Sequence, residues 1–305
     1  MKYYFLQIKE GHHGGPFYDC VDKWISAGYA AVFTKDLLDK IDTKGISSDV
    51  IKFINTFKTS ENDDAILVST GTGIDGIDYF YIYQKISSLE EITSVKVDSK
   101  YYKNCNYIDK AIGFEIKLLK KIKVAECPLV LATIKSNTRL TMGTFKSIEN
   151  PRQPDSHLNS YFGNIKAIEY ILNAQKNKVK LDSFAEYLEC LSPIEFETLI
   201  AKIKEEEGYF VPAYKGGMLK DYDLICRKDN LQENIQVKLN LSKETYNKYK
   251  NKDLKIYCVS KAENIKNPKI EICDWRDIFS MLKICKTTKQ WLEQSLYWVE
   301  PVGEK

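Results

Sequence analysis

Short runs of aromatic and branched residues alternate with glycine-bearing turns along the first half of the chain. Over residues 2–9, Tyr3, Phe5 and Gln7 oppose Tyr4, Leu6 and Ile8, a composition that suits a buried β-strand. The segment from Gly11 to Pro16 breaks it. Residues 18–27 read as a short helix, 28–33 as a strand, and 36–41 and 47–56 as helices. Residues 64–69 and 77–86 flank a turn at Thr70-Gly71-Thr72-Gly73, the signature of a β-hairpin. Further strand-like stretches follow at 91–97, 112–122 and 129–134. Residues 136–153 have no periodicity, and 160–175 read as a helix.

From Ser192 onward the pattern becomes helix, strand, strand, helix. Ser192 stands as an N-cap, Pro193 at the first helical position and Glu195 at the capping-box position, with apolar Ile194, Leu199 and Ile203 behind them. Gly208 stops that helix. Residues 209–212, 222–226, 234–239 and 255–259 have strand composition, and 274–284 close with a helix. The expected architecture is α/β in two domains. Residues 1–135 form a small, mostly antiparallel β-barrel with peripheral helices, 136–185 a linker with a connecting helix, and 186–305 an α/β core. A length of 305 residues suits two domains.

Composition narrows the class. With 44% hydrophobic and 29% charged residues the chain can fill two cores. Its apolar runs fall short of the roughly 20 residues that span a bilayer, and the first residues lack a signal-peptide pattern, so a soluble cytoplasmic protein with no membrane partner is expected. The eight cysteines form no CxxC pair and read as buried, reduced thiols. His12, His13 and His157 have no partners at ligand spacing and read as loop histidines. A net charge of +3 neither announces nor excludes nucleic acid, for which a local basic face matters more. One candidate face is residues 241–270, where eight lysines stand against Glu244, Asp253 and Glu263.

The spacing that carries chemistry lies in the second half. Asp221-Tyr222-Asp223-Leu224-Ile225 is followed by a polar turn and then Gln236-Val237-Lys238. In a hairpin these residues come together, and Gln236 and Lys238, two apart, share a face. A carboxylate and an amide oxygen there suit Mg²⁺, and the ammonium beside them suits an attacking water or a phosphate gaining charge. Asp223, directly before Leu224-Ile225, is the preferred metal carboxylate and Asp221 the alternative.

At these residues the chain resembles the Mrr-like branch of the PD-(D/E)xK, or restriction-endonuclease-like, nucleases. The matching segments are Ser192-Pro193-Ile194-Glu195-Phe196-Glu197, Gly208-Tyr209, Gly216-Gly217 through Asp221-Tyr222-Asp223-Leu224-Ile225, and Gln236-Val237-Lys238. The resemblance spans about residues 190–285. It implies that Asp223 and Gln236 ligate Mg²⁺, that Lys238 is the catalytic lysine, and that Glu197 is the helix carboxylate facing the metal. Most of the wider fold has Glu or Asp where Gln236 stands, and glutamine is typical of this branch.

The first half is similar to the opening of EVE/YTH-like domains of the PUA superfamily. The similarity rests on residues 3–8, Trp24, Gly28 through Phe33, 51–57 and Asn62-Asp63-Asp64 through Val68. In that pattern Phe33 stands where tryptophan is usual and Asn62-Asp63-Asp64 where a Gly-Asp turn is usual. The resemblance implies an aromatic pocket for a flipped, modified base, with Phe33, Trp24, Tyr29 and Tyr81 as the base-binding residues. Together the two resemblances imply a modification-dependent endonuclease of restriction or phage defence. Its partner is double-stranded DNA with a modified base, and it acts as a homodimer at least during double-strand cleavage. A conventional sequence-specific restriction enzyme and a non-catalytic DNA-binding protein with a degenerate nuclease core are the rival readings.

Overall fold

The structure, a computed structural model, describes residues 2–10, 18–34, 48–59, 64–93, 110–126, 130, 134, 145–148, 162–212, 222–266 and 268–302. It is mixed α/β and divides into two compact units. Met1–Leu131 and Thr138–Glu149 make the first, and Ala132–Asn137 and Asn150–Lys305 the second. No helix among the described residues is long and apolar enough to cross a membrane.

The first unit is built on strands β1 (Tyr3–Leu6), β2 (Lys9–Glu10), β3 (Tyr18–Asp19), β4 (Tyr29–Thr34), β5 (Ile66–Thr72), β6 (Asp78–Lys85), β7 (Glu90–Ile92), β8 (Lys110–Lys123) and β9 (Phe145–Ile148). Helices α1 (Val21–Ser26) and α2 (Ser48–Phe57) accompany them. The main sheet runs β4-β8-β6-β5-β1-β9, with β7 also on β8, and β2 and β3 form a separate ribbon. Within the main sheet β1 and β5 are parallel and the other pairs antiparallel.

The long β8 bends the sheet, since it pairs with β4 and β7 through its first residues and with β6 through its last. The expected barrel is therefore a curled half-barrel, with β4 and β9 as its two edges. Helix α2 packs against both edge strands. Its apolar stripe, Val50, Phe53, Ile54 and Phe57, has the i, i+3, i+4, i+7 spacing that buries one helix face. Gly113 permits the close pairing of β4 with β8, because a Cβ there would lie 2.8 Å from the Ala31 Cα.

Two stretches differ from the sequence expectation. Residues 136–153 were expected to be irregular, yet Phe145–Ile148 pair with the whole of β1. Four residues with apolar side chains only at the two ends carry no period-2 signal. Phe145 anchors the core, stacked on Tyr4 at 5.3 Å and edge-on to Phe53 and Phe57 at 5.4 and 5.7 Å. Of residues 129–134, expected as a strand, Val130 and Ile134 are described, and both are helical. The helix expected at 36–41 lies outside the described residues.

The second unit contains α3 (Phe162–Leu172), α4 (Phe184–Glu189), α5 (Pro193–Glu206), α6 (Lys243–Tyr249), α7 (Trp275–Leu282) and α8 (Lys286–Ser295). Its sheet is β10 (Leu224–Lys228), β11 (Leu231–Leu241), β12 (Lys255–Lys261) and β13 (Ile272–Cys273), in that order. β10 and β11 form an antiparallel hairpin, and α6 is the crossover that makes β12 parallel to β11. The α3 helix, expected in a linker, belongs to this unit. Residues 241–270, expected as a lysine-rich face, also hold a core: α6 buries Tyr246 and Tyr249 with Leu241, Leu254, Ile256, Cys258 and Ile265. The six described cysteines are buried and unpaired by disulfides.

Candidate functional site

Local sequence chemistry places the site. The Ser192 hydroxyl accepts from the Glu195 amide at 3.2 Å, and the Glu195 carboxylate accepts from the Ser192 amide at 2.7 Å, closing the capping box. This fixes the start of α5, and Gly208 ends the turn after it with φ of +87°. The helix buries Phe196, Leu199, Ile200, Ala201, Ile203 and Lys204 and packs on β11. Glu197 and Lys204, seven residues apart, lie two turns apart on the same side.

In the hairpin, Leu224 is paired with Ile235, so Asp223, one step earlier, stands across from Gln236. The Asp223 amide donates to the Ile235 carbonyl at 2.9 Å, which extends the ladder to the site. One oxygen of Asp223, Oδ2, accepts from the Val237 amide at 2.8 Å, from Lys238 Nζ at 3.1 Å and from Gln236 Nε2. Lys238 also donates to the Val237 carbonyl at 2.8 Å, so its ammonium is held at both sides. Gln236 is buried, while the Lys238 side chain keeps 32% of its surface exposed and can meet a ligand.

Glu197 completes the cluster. Burial pushes its carboxyl up to about 7, the Asp223 carboxylate adds to the rise, and the Lys238 ammonium opposes it. Asp223, Gln236 and Lys238, expected from the sequence, are thus brought into contact, and Glu197 lies within electrostatic reach of Asp223 and Lys238. Asp221, Gly216 and Gly217 lie outside the described residues, as do His12, His13 and His157. No group of three or more His, Cys, Asp and Glu side chains gathers among the described residues.

A second charged network was not anticipated. Lys204 is buried and ion-paired with Glu207 at 2.9 Å and Glu233 at 3.1 Å, with the Tyr209 ring 4.7 Å away. Burial works to lower its pKa, but Tyr257, Glu207 and Glu233 outweigh that and hold it above the usual lysine value. The available signal was its place two turns beyond Glu197.

The base-pocket residues fare differently. Trp24 and Tyr81 are fully buried, so neither offers a ring face to a base, and their reading as base-binding residues gives way to core packing. Trp24 is carried inward on α1 with Val21 and Ile25, and the Tyr81 hydroxyl donates to Asp22 at 2.7 Å. Phe33 is half-buried, edge-on to Trp24 at 5.4 Å, and Tyr29 is half-buried with its hydroxyl 3.4 Å from Glu115. Asp22, missed in the sequence, also accepts from Lys121 at 2.7 Å. Burial would raise its pKa, yet Lys121 and Tyr81 hold it below the usual carboxylate value. No local spacing could reveal a pair 99 residues apart.

No protein-family model, no curated protein and no solved structure matches this chain.

Proposed function

We propose that the protein is a Mg²⁺-dependent DNA endonuclease whose second unit hydrolyses the phosphodiester and whose first unit reads a modified base. The observation that carries the proposal is the contact of Asp223 with Gln236 and Lys238, with the Glu197 carboxyl near enough to feel both charges and pushed up to about 7. Two carboxylates that repel each other in a half-buried place, beside an amide, form an oxygen-rich set that fits a hard cation. Asp223, Glu197 and the amide oxygen of Gln236 would hold it. When bound, Mg²⁺ would lower the pKa of a coordinated water and neutralise charge on the phosphate.

The chain's own groups do the rest. Lys238 keeps its ammonium fixed against Asp223 and the Val237 carbonyl, where it can meet a phosphate oxygen without first being ordered. Glu197, poised near neutrality, can hold or release a proton within the cluster. Phe33 and Tyr29, both half-buried, are the stacking candidates left to the first unit. A double-strand break by a chain with one such cluster calls for two copies acting together, on double-stranded DNA, which fits a role in restriction or phage defence.

One contact favours a non-catalytic reading: Gln236 donates its amide nitrogen to the same Asp223 oxygen a cation would use. The deciding experiment is digestion of modified and unmodified plasmid with and without Mg²⁺. Cleavage of modified plasmid alone supports the proposal. Cleavage of both leaves a conventional endonuclease, and binding without cleavage leaves the degenerate core.

A further inference from the structure

Gln236, Lys238 and Asn240 follow one another at two-residue intervals along β11, so their side chains lie on one face of the sheet. Exposure rises in that order, from buried Gln236 through half-buried Lys238 to exposed Asn240. The face opens to solvent towards Asn240. Register carries the same line onto the neighbouring strand, because Asn240 pairs with Ser260 of β12 just as Lys238 pairs with Cys258. Ser260 is exposed as well.

The two side chains are joined. The Ser260 hydroxyl donates to the amide oxygen of Asn240, and the amide nitrogen of Asn240 has no partner among the described residues. An amide held by its oxygen keeps both N–H donors for something else. Here they are offered to solvent, one pleat repeat, or about 7 Å, along the strand from Lys238. Successive phosphates of one nucleic-acid strand stand at a comparable separation, so a strand with one phosphate at Lys238 brings the next within reach of Asn240.

We propose that Asn240 binds the phosphate next to the scissile one, and that Ser260 is the positioning residue that sets the Asn240 amide for it. The proposal rests on the reading of the Asp223 cluster as a phosphodiesterase centre and adds a contact between that centre and its substrate. Amide donors on a phosphate fix the register of a strand and carry no sequence information. The contact therefore serves modified and unmodified DNA alike.

Affinity of the full chain for a short duplex is measured by fluorescence anisotropy without divalent cation, with Mg²⁺-dependent cleavage followed in parallel. Asn240→Asp keeps an acceptor for Ser260 but replaces the N–H donors by a charge that repels phosphate. It should weaken binding by about 10-fold or more, the value of a hydrogen bond to a charged group, and equally for modified and unmodified duplexes. Ser260→Ala should weaken binding by about 2-fold to 10-fold, and Ser260→Thr, which keeps the hydroxyl, should restore it. Duplexes with one phosphate at a time replaced by a neutral methylphosphonate locate the contact. One position should cost the wild type affinity and cost Asn240→Ala nothing, while other contacted positions cost both proteins equally. Urea unfolding of each variant should match the wild type, since both residues are exposed. The proposal is overturned if Asn240→Asp binds duplex as the wild type does, or if no methylphosphonate position loses its effect in Asn240→Ala. Either result beside Mg²⁺-dependent cleavage by the wild type leaves the phosphodiesterase reading standing. The expected binding losses without any cleavage by the wild type would keep the phosphate contact and remove that reading.

Discussion

Replacing Glu197 by glutamine should make the protein more stable at pH 8 and leave its stability at pH 4.5 unchanged. The folded carboxyl titrates near 7 against an ordinary value of 4.5, because burial and the Asp223 carboxylate disfavour its charge more than Lys238 favours it. A carboxyl whose pKa is raised by folding binds its proton more tightly in the folded state. Folding stability is therefore lost as pH rises from about 4.5 to about 7, and is flat beyond that range. At about 1.36 kcal/mol per pH unit the full loss is roughly 3 kcal/mol. Because the side chain is only half-buried, solvent screening brings the expected gain of Glu197→Gln at pH 8 to about 2 kcal/mol.

The assay is urea unfolding of both proteins from pH 4.5 to 8, followed by tryptophan fluorescence. Trp275, Trp291 and Trp298 report on the second unit. Adding Mg²⁺ at pH 8 should stabilise the wild type by about 1.4 kcal/mol at ten times the dissociation constant, and the variant by less. A stability difference that does not vary with pH would refute the repulsion between Glu197 and Asp223. A Mg²⁺ effect of equal size in both proteins would remove Glu197 from the ligand set.

Four further outcomes follow from named contacts. Lys238→Ala should abolish plasmid cleavage and change DNA affinity little in gel-shift titrations, and wild-type cutting by it would end its assignment as the catalytic lysine. Asp223→Ala should remove Mg²⁺-dependent cleavage more completely than Asp221→Ala, and the reverse order would move the metal carboxylate by one strand-face step. Phe33→Ala should weaken binding of modified duplex by about 10-fold to 100-fold, the value of one stacked base, and leave salt-dependent background binding intact. Circular dichroism would check its fold, and equal affinity for every duplex would withdraw the base-reading function. Phe145→Ala should destabilise the first unit by about 3–5 kcal/mol in urea unfolding, and a change under 1 kcal/mol would mean that β9 is not integral to the sheet.

What could be read in advance was whatever is written locally. The α5 cap needed only Ser192, Pro193 and Glu195 in order, and the gathering of Asp223 with Gln236 and Lys238 needed only a hairpin and the two-residue pleat. Glu197 had no spacing rule linking it to that hairpin and came from the resemblance alone. The base pocket was less legible, because an aromatic strand residue looks the same in sequence whether its ring faces a cleft or a core. Tyr81 and Tyr29 differ only in what packs over them, and that is decided by distant segments such as α1 and β8. Strand β9 was hidden for the same reason: its partner β1 lies some 140 residues earlier.

That pairing also bears on how the protein is made and how it could have arisen. The chain leaves the first unit after Leu131, contributes Ala132–Asn137 to the second, and returns with Thr138–Glu149 before departing for good. During synthesis the half-barrel must wait with an open edge until Phe145–Ile148 leave the ribosome, so a nascent chain stalled before that point exposes the β1 backbone to pairing with other chains. No single crossover in the gene could exchange one unit for another intact. A crossover between Leu131 and Thr138 would separate the first unit from β9, the strand that covers β1.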